Sequence, residues 1–170
     1  MKTLLGVAAV VLLSSCCISP LVVEAPPEIR EAAFAEAGRY IGMEYEWGGQ
    51  DFPSSRGIDC SGLIVNVYYT ATMGTDYVIP FSDANVRALY NEHTVAVENP
   101  GRGDILFMGE ADSSEITHAA VYDRTENGEV FFIDSTHKDD PPINGVTRRS
   151  YPATDPKLKS WGRMLLEKRN

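Results

Sequence analysis

One cysteine at the start of an apolar, helix-length segment constrains this chain more than any other feature. Asp59-Cys60-Ser61-Gly62-Leu63 opens the segment, and the apolar character that follows predicts a helix over residues 61–72. Before it, Tyr45-Glu46-Trp47-Gly48-Gly49 predicts a tight loop with glycine hinges. We therefore expect Cys60 at a helix N-terminus, where unpaired amide groups and the helix dipole favour a thiolate over a thiol. A thiolate in that position indicates a nucleophile.

The N-terminus predicts export. Met1-Lys2 precedes an apolar run over residues 4–13, and Leu13-Ser14-Ser15-Cys16 supplies a small-residue cleavage site. The run is shorter than the roughly 20 residues that a membrane-spanning helix needs. We therefore expect residues 1–15 to be a signal peptide that is removed, and the mature protein to lie outside the cytoplasm.

The four residues that end at Cys16 also resemble a bacterial lipobox. This resemblance implies a diacylglycerol on Cys16, which would anchor the protein to a bacterial membrane, facing the periplasm or the cell wall. Cys17 is a second candidate, although the residues before it lack the aliphatic first position. The alternative is a plain secretory signal followed by an incidental cysteine pair.

Three prolines in residues 16–27 predict an extended, lipidated tether. Residues 28–170 have the length of one ordinary domain. Their composition is globular, since 44% of the chain is hydrophobic and 23% is charged, and the net charge of −9 argues against nucleic acid or an anionic lipid surface as a partner. Cys60 has no second cysteine in that domain, which excludes a disulfide scaffold and a cysteine metal site. We expect a monomer without a metal or organic cofactor.

The order of the predicted elements indicates the fold class. Apolar spacing predicts a helix over residues 28–41, and a second, shorter helix is predicted over residues 82–90 with Ser82 as its N-cap. Turn signals such as Asn127-Gly128 and Asn144-Gly145 then separate short, β-rich segments. The predicted strands cover residues 104–108, 117–123, 129–135 and 161–166. Helices followed by antiparallel strands predict an α+β fold.

Three histidines are candidates for the base that a cysteine nucleophile needs. His93 lies in a polar loop. His118 opens a predicted strand, where small neighbours leave room for a partner, and we expect it to be the base. His137 follows the next strand in an acidic loop and is the reserve candidate.

Asp134 is the expected group that orients the imidazole. If Asn127-Gly128 forms a two-residue turn, Asp134 pairs with Val121 and lies on the face opposite His118. If the turn has three residues with Gly128 as a bulge, Asp134 pairs with Ala120 and becomes a diagonal same-face neighbour of His118. Assigning Asp134 to the site therefore predicts a bulged or longer turn, and His137 stays the alternative orienting residue.

Five segments together resemble the NlpC family of bacterial cell-wall cysteine peptidases. They are Tyr45-Glu46-Trp47-Gly48-Gly49, Asp59-Cys60-Ser61-Gly62-Leu63, Pro100-Gly101-Arg102-Gly103-Asp104-Ile105-Leu106-Phe107, Thr117-His118-Ala119-Ala120-Val121-Tyr122 and Phe132-Ile133-Asp134-Ser135-Thr136. The resemblance spans residues 28–170 in the right order. It implies a papain-like α+β fold in which the helix that carries the cysteine packs on a mostly antiparallel sheet that carries the histidine. It also implies hydrolysis of peptidoglycan stem peptides, at the bond between the γ-carboxyl of D-glutamate and a diamino acid.

The resemblance also implies roles for individual residues. Cys60 would be the nucleophile and His118 the general base and later general acid, while Tyr45 would line the site near the oxyanion. Asp59 and Ser61 would contact the N-terminal residue of the substrate peptide. Asp134 departs from the family pattern, in which the third catalytic residue is commonly a histidine.

Two other functions fit the same residues. The Cys60 and His118 pair would also serve an amidase or acyltransferase acting on another amide or ester. A lipoprotein that binds wall peptide or a partner without turnover is the non-enzymatic alternative, with Asp134 marking a decayed site. We expect the loops at residues 109–116 and 136–144 to shape the cleft.

Overall fold

The computed structural model describes residues 20–50, 56–139 and 142–169. The described helices are α1 (Pro27–Arg39), α2 (Cys60–Thr72) and α3 (Val86–Glu92). The strands are β1 (Leu21–Glu24), β2 (Tyr77–Val78), β3 (Thr94–Ala96), β4 (Ile105–Met108), β5 (His118–Glu126), β6 (Glu129–Asp139), β7 (Pro142–Pro152) and β8 (Leu158–Lys168). The predicted α+β class is confirmed. The predicted signal peptide, Cys16 and Cys17 lie outside the described residues.

The strands form one antiparallel sheet with the order β1-β8-β4-β5-β6-β7, and β2 and β3 also pair with β8. Helices α1 and α2 cover one face. Fully buried Ala33 and Ala37 of α1 and Leu63 of α2 belong to the same core as Val121 and Ile133 of the sheet. Burying this apolar surface is the main force that fixes the nucleophile helix on the sheet.

The opposite face of the sheet carries a smaller core. Leu106, Tyr122 and Phe132 are buried there, and Tyr151 of β7 and Trp161 of β8 pack against the same cluster. The cluster runs from β8 across β4, β5 and β6 to β7, so side chains of adjacent strands shield this face.

Asp104 shows that one of the five motifs has a structural role. Its fully buried carboxylate accepts hydrogen bonds from Arg163 at 3.0 and 2.9 Å, from Arg30 at 3.2 Å and from the amide of Gly101 at 2.7 Å. These partners come from α1, β8 and the loop before β4. A buried carboxylate needs such compensation, and here the compensation joins α1 to the sheet.

The predicted tether overlaps a strand. Residues 21–24 pair with Leu165 to Lys168 of β8, and Ala25 is buried in the main core. Two consecutive valines favour a strand, and Pro20 and Pro26 bracket it. The ordered sheet therefore begins before residue 28, where the sequence places the domain boundary.

Two other local predictions are wrong. Helix α3 begins at Val86 with Asn85 as its N-cap, not at Ser82, because the Asn85 side chain accepts the Ala88 amide at 2.9 Å. Asn144-Gly145 does not form a turn and lies within β7. Gly145 is needed there because the backbone of Met43 approaches it too closely for any Cβ, and its φ of 134° is a conformation that L residues rarely adopt.

Candidate active site

Cys60 is the first residue of α2, as the sequence predicts. Asp59 is the N-cap, and its Oδ1 accepts the Gly62 amide at 2.7 Å and the Ser61 hydroxyl at 2.9 Å. Its Oδ2 accepts the Gly48 amide at 3.0 Å. One carboxylate thus stabilises the helix start and ties the glycine loop to it.

The backbone of the glycine loop packs directly against α2. The Gly49 carbonyl accepts the Asp59 amide at 3.0 Å, and the Asn66 side chain donates to the carbonyls of Gln50 and Gly62. A Cβ on Gly62 would collide with the Gly49 carbonyl oxygen. Glycine at position 62 therefore permits the close contact that holds this loop beside Cys60.

His118 connects Cys60 to Asp134. It is the first residue of β5, and its side chain is 22% exposed. Its Nε2 lies 2.6 Å from Oδ2 of Asp134, which is fully buried. Cys60 is the second group that acts on His118, since it raises the pKa of the imidazole, and Nδ1 is the ring nitrogen that Asp134 leaves available to it. The structure therefore brings together the three residues that the sequence predicts as catalytic.

The charges around His118 favour the imidazolium form. Burial alone would lower the pKa of His118, but the hydrogen bond to Asp134 and the Cys60 side chain beside the ring, together with the charges of both groups, raise it to about 10. Burial would likewise raise the pKa of Asp134, and the hydrogen bonds from His118 and Arg149 instead hold that pKa below its ordinary value. An ionised carboxylate beside a cationic imidazole is the result.

Asp134 reaches His118 by a route that the turn prediction misses. Asn127 and Gly128 have φ values of 53° and 81° and form a two-residue turn between paired Glu126 and Glu129. The predicted bulged turn is therefore wrong. The register instead shifts between Tyr122 and Arg124, so that Val121 pairs with Ile133.

This shift makes Asp123 the extra residue of a β-bulge. Past this bulge, β5 and β6 pair in the register that the predicted turn bulge would have produced. Val121 pairs with Ile133, so Asp134, the next residue of β6, lies opposite Ala120. That position is the diagonal same-face neighbour of His118. The predicted contact is correct, and its structural cause is a bulge inside β5.

Arg149 is a site residue that the sequence does not reveal. It lies on β7, for which no strand was predicted, opposite Phe132 and diagonal to Asp134 on β6. Its Nε donates to Oδ1 of Asp134 at 2.9 Å and its Nη2 donates to Oδ2. Its Nη1 donates to the Tyr151 hydroxyl at 3.0 Å, and Lys138 donates to the same hydroxyl at 2.7 Å. A charged network therefore extends from His118 away from Cys60.

A cleft of about 710 Å³ lies on the Cys60 side of the pair. Tyr45, Asp59 and Ser61, the predicted substrate-binding residues, all line it, and so does Trp47, which is 87% exposed. Burial and the charges of Cys60 and Asp59 raise the pKa of Tyr45, which keeps its hydroxyl protonated and able to donate. The sequence does not reveal that the N-terminus of α3 and the residues before it, 83–88, form the facing wall.

The other two histidines lie apart from the catalytic contacts. His93 stacks on Phe81 with ring centroids 3.8 Å apart. His137 is exposed, and its ring lies 6.2 Å from that of Tyr45. Asp134, not His137, is the group bonded to His118 among the described residues. Residues 136–139 and 142–144, which the sequence predicts as parts of a loop, are paired residues of β6 and β7.

The described residues contain no group of three or more His, Cys, Asp or Glu side chains placed to hold a metal ion. No helix among them is long and apolar enough to cross a membrane.

Comparison with known proteins finds relatives that match about half of the chain. Protein P54 of Enterococcus faecium is 40% identical over 93 residues, which are 53% of this chain and 16% of that protein. Gamma-DL-glutamyl hydrolase of Bacillus subtilis is 33% identical over 87 residues, which are 51% of this chain and 19% of that protein. The chain thus spans less than a fifth of either relative.

Solved structures and a family model extend the comparison. A lipoprotein-like NLP/P60 family protein of Staphylococcus aureus has a TM-score of 0.57 and 25% identity, with 86% of this chain and 44% of that chain covered. An NlpC/P60 family protein of Bacillus cereus shares the fold at 21% identity, with a TM-score of 0.51 and coverage of 82% and 40%. The model of the NlpC/P60 family matches residues 42–153, which hold Cys60, His118 and Asp134. The chain therefore belongs to the NlpC/P60 family.

Proposed function

We propose that this protein is a cysteine peptidase that hydrolyses peptidoglycan stem peptides at the bond between D-glutamate, through its γ-carboxyl, and a diamino acid. The observation that carries the proposal is the arrangement of Cys60 beside His118, which is hydrogen-bonded to buried Asp134, next to an open cleft. Family membership and the name of the Bacillus subtilis relative, a γ-glutamyl hydrolase, support the choice of bond.

The proposed reaction is acyl transfer to Cys60. The thiolate, paired with the His118 imidazolium, attacks the carbonyl carbon and forms a tetrahedral intermediate. When the C–N bond breaks, His118 gives its proton to the departing amine, and the acyl group stays on sulfur as a thioester. His118 then takes a proton from water, whose oxygen attacks the thioester, and keeps that proton as the Cys60 thiolate leaves, which restores the starting ion pair.

The oxyanion of both intermediates needs donors close to Cys60. The Cys60 amide is one, because the first residue of a helix has no intrahelical acceptor. The Tyr45 hydroxyl is the second, since it is held protonated near Cys60. Losing one such donor costs about 3 kcal/mol of transition-state stabilisation.

The cleft on the Cys60 side would hold the acyl half of the substrate. Asp59 lies in its wall with an ionisable carboxylate, and among the described residues no ion pair includes it. We propose that the carboxylate attracts the free amino group of the stem peptide, with Ser61 beside it. This would select peptides whose N-terminal amine has already been released from the glycan.

We also propose that the protein acts outside the cytoplasm, held to a bacterial membrane by a lipid on Cys16. The support is the sequence of residues 1–16 alone. Mass spectrometry of the protein purified from a bacterial membrane, compared with a Cys16→Ser variant, tests this. A diacylglycerol-modified N-terminal Cys16 is expected. A soluble product that begins at another residue contradicts the anchor.

The reaction is tested by incubating the chain without residues 1–15, and its Cys60→Ala variant, with defined muropeptides and identifying the products by mass spectrometry. Cleavage after D-glutamate by the parent alone is expected. Cleavage of another amide or transfer of the acyl group would replace the proposed bond by another reaction of the same site. No turnover, with Cys60 also unreactive to a mild electrophile, would favour a binding protein.

A γ-glutamyl polymer is the second candidate substrate, because one relative carries the name γ-DL-glutamyl hydrolase. The same Cys60 chemistry would cleave it. A γ-linked glutamate oligomer belongs in the same assay, and a kcat/KM for it above that for the muropeptides would make it the preferred substrate.

A further inference from the structure

A second cavity lies on the far side of His118 from Cys60. Its volume is about 310 Å³, and its wall includes His118 but not Cys60, whereas the larger cleft includes Cys60 but not His118. Thr117 borders both. In the proposed reaction the acyl half stays on Cys60, and the amine half leaves beside the group that protonates it. The second cavity is therefore placed to receive the amine half of the substrate.

The charge of this cavity differs from that of the whole protein. Its lining residues include three basic side chains, those of Lys138, Arg149 and Lys157, and a single carboxylate, that of Glu110. The Asp134 carboxylate neutralises the charge of Arg149, so the two lysines leave the cavity with a net positive charge. The net charge of the whole chain is −9. A local positive charge in an acidic protein indicates an anionic ligand group.

Two donors in the cavity are still free to bind such a group. The Tyr151 hydroxyl already accepts hydrogen bonds from Lys138 and Arg149, which uses both of its lone pairs and leaves its own proton to donate. Lys138 donates one of its three ammonium protons to that hydroxyl, which leaves two for a ligand. Both side chains are half-buried, where a hydrogen bond to a charged group is stronger than in bulk water.

We infer that Lys138 and Tyr151 form a carboxylate-binding site for the amine half of the substrate, which makes the protein selective for a carboxylate-bearing diamino acid over lysine. The inference rests on the proposed function and specifies its substrate. Two carboxylates of a stem peptide could occupy the site: the one on the side chain of a diaminodicarboxylic acid, and the C-terminal one of a tripeptide.

The test compares four peptides that share L-Ala-γ-D-Glu. Two end in meso-diaminopimelate and two in L-lysine, each as a C-terminal acid and as a C-terminal amide. We expect kcat/KM for the diaminopimelate amide to exceed that for the lysine amide about tenfold, as one charge-assisted hydrogen bond allows. If only the C-terminal acids are favoured, whatever the side chain, the site binds the C-terminus and the inferred selectivity for the diamino acid is overturned. Equal values for all four overturn the inference, while cleavage itself upholds the proposed function.

Lys138→Met is the informative variant, because it keeps the length of the side chain and removes its charge. We expect it to abolish the preference for the carboxylate peptides over the lysine amide, mainly through KM. Lys168→Met is the matched control, since Lys168 also lies over a tyrosine ring, 5.9 Å from Tyr77, but does not line the cavity. An unchanged preference in Lys138→Met contradicts the inference.

A binding measurement keeps the test independent of turnover. The Cys60→Ala protein is titrated by calorimetry with the same four peptides, alone and combined with Lys138→Met. Tighter binding of the carboxylate peptides that disappears with Lys138→Met supports the site even if the parent cleaves none of them, which would be a failure of the proposed function alone. Equal affinities in both proteins overturn the inference.

Discussion

Arg149 and Asp134 form a buried, two-pronged ion pair directly behind the catalytic histidine candidate. The Asp134 side chain is fully buried and that of Arg149 is 11% exposed. Asp134 accepts from Arg149 with both oxygens and from His118 with one. A bidentate guanidinium fixes the plane of the carboxylate, so Arg149 orients the group that orients His118. This gives Asp134, where the family commonly has histidine, a counter-ion that a histidine would not need.

Asp134→Asn should separate the charge of this residue from its geometry. The amide oxygen can still accept from His118, but the imidazolium loses its anion and Arg149 is left unpaired. We expect kcat/KM to fall about 100-fold and the free energy of unfolding to fall by about 3 kcal/mol. Peptide cleavage and denaturant unfolding measure the two effects.

Arg149→Met completes a double-mutant cycle for the same pair. With Asp134→Asn it removes both charges, so the double variant should regain most of the lost stability but not the lost activity. Activity of Asp134→Asn equal to that of the parent would show that the Asp134 charge has no part in the reaction.

The pH dependence follows from the raised pKa of His118. A folded-state value of about 10, against an ordinary value of 6.5, means that the imidazolium stabilises the folded protein. This contribution is fully present below pH 6.5 and is lost as the pH rises through about 10. Since the imidazolium is also the proposed acid, activity should persist above neutral pH and decline as His118 loses its proton.

NMR titration of the His118 ring checks this directly, with the rings of His93 and His137 as internal references. The midpoint should fall in Asp134→Asn and in Cys60→Ala, because each variant removes a group that raises the pKa. A midpoint near 6.5 in the parent would contradict the ion-pair description of the site.

Tyr45→Phe tests the second oxyanion donor. The variant removes a hydroxyl from the cleft and leaves the ring that packs there, so we expect kcat to fall about 100-fold with the stability unchanged. Tyr69→Phe is the control, because Tyr69 lies on α2 but is exposed and does not line the cleft. If kcat of Tyr45→Phe matches that of the control, Tyr45 contacts substrate without donating to the oxyanion.

Local signals explain what the sequence predicts well. The apolar helix after Cys60 and the alternating strand that begins at His118 are each encoded within a few neighbouring residues, and both are present in the structure. The fold class follows from their order along the chain. The helix start and the strand start then account for two of the three residues predicted as catalytic.

Long-range contacts explain what the sequence misses. The bulge at Asp123 leaves a polar residue in an apolar strand, which by itself resembles a strand end. Strand β7 carries the turn-like pair Asn144-Gly145, in which glycine is required because the backbone of Met43 lies too close for a Cβ. The role of Arg149 cannot be predicted from the sequence for the same reason, since only the pairing of β7 with β6 brings it to Asp134. The positions of Asp134 and Arg149 in the site can therefore be predicted only when the register of the paired strands is known.

Two glycines in helices should respond oppositely to alanine. In α1, Gly38 has room for a methyl group, whose nearest neighbour would be Arg148 Nη2 at 3.8 Å. Gly38→Ala should raise the free energy of unfolding by about 0.5–1 kcal/mol, because alanine loses less backbone entropy in a helix. In α2, a methyl group on Gly62 would meet the Gly49 carbonyl and lie 3.2 Å from the Gln50 Cα.

Backbone atoms cannot rotate away as a side chain can, so Gly62→Ala must displace the glycine loop or the start of α2. We expect it to lower the free energy of unfolding by about 2 kcal/mol and to reduce kcat/KM further than that loss explains, because the same loop bonds to Asp59 beside Cys60. Denaturant unfolding and peptide cleavage at a temperature where both variants are folded measure the two effects. Parent-like activity in Gly62→Ala would mean that the loop can retreat without moving Cys60.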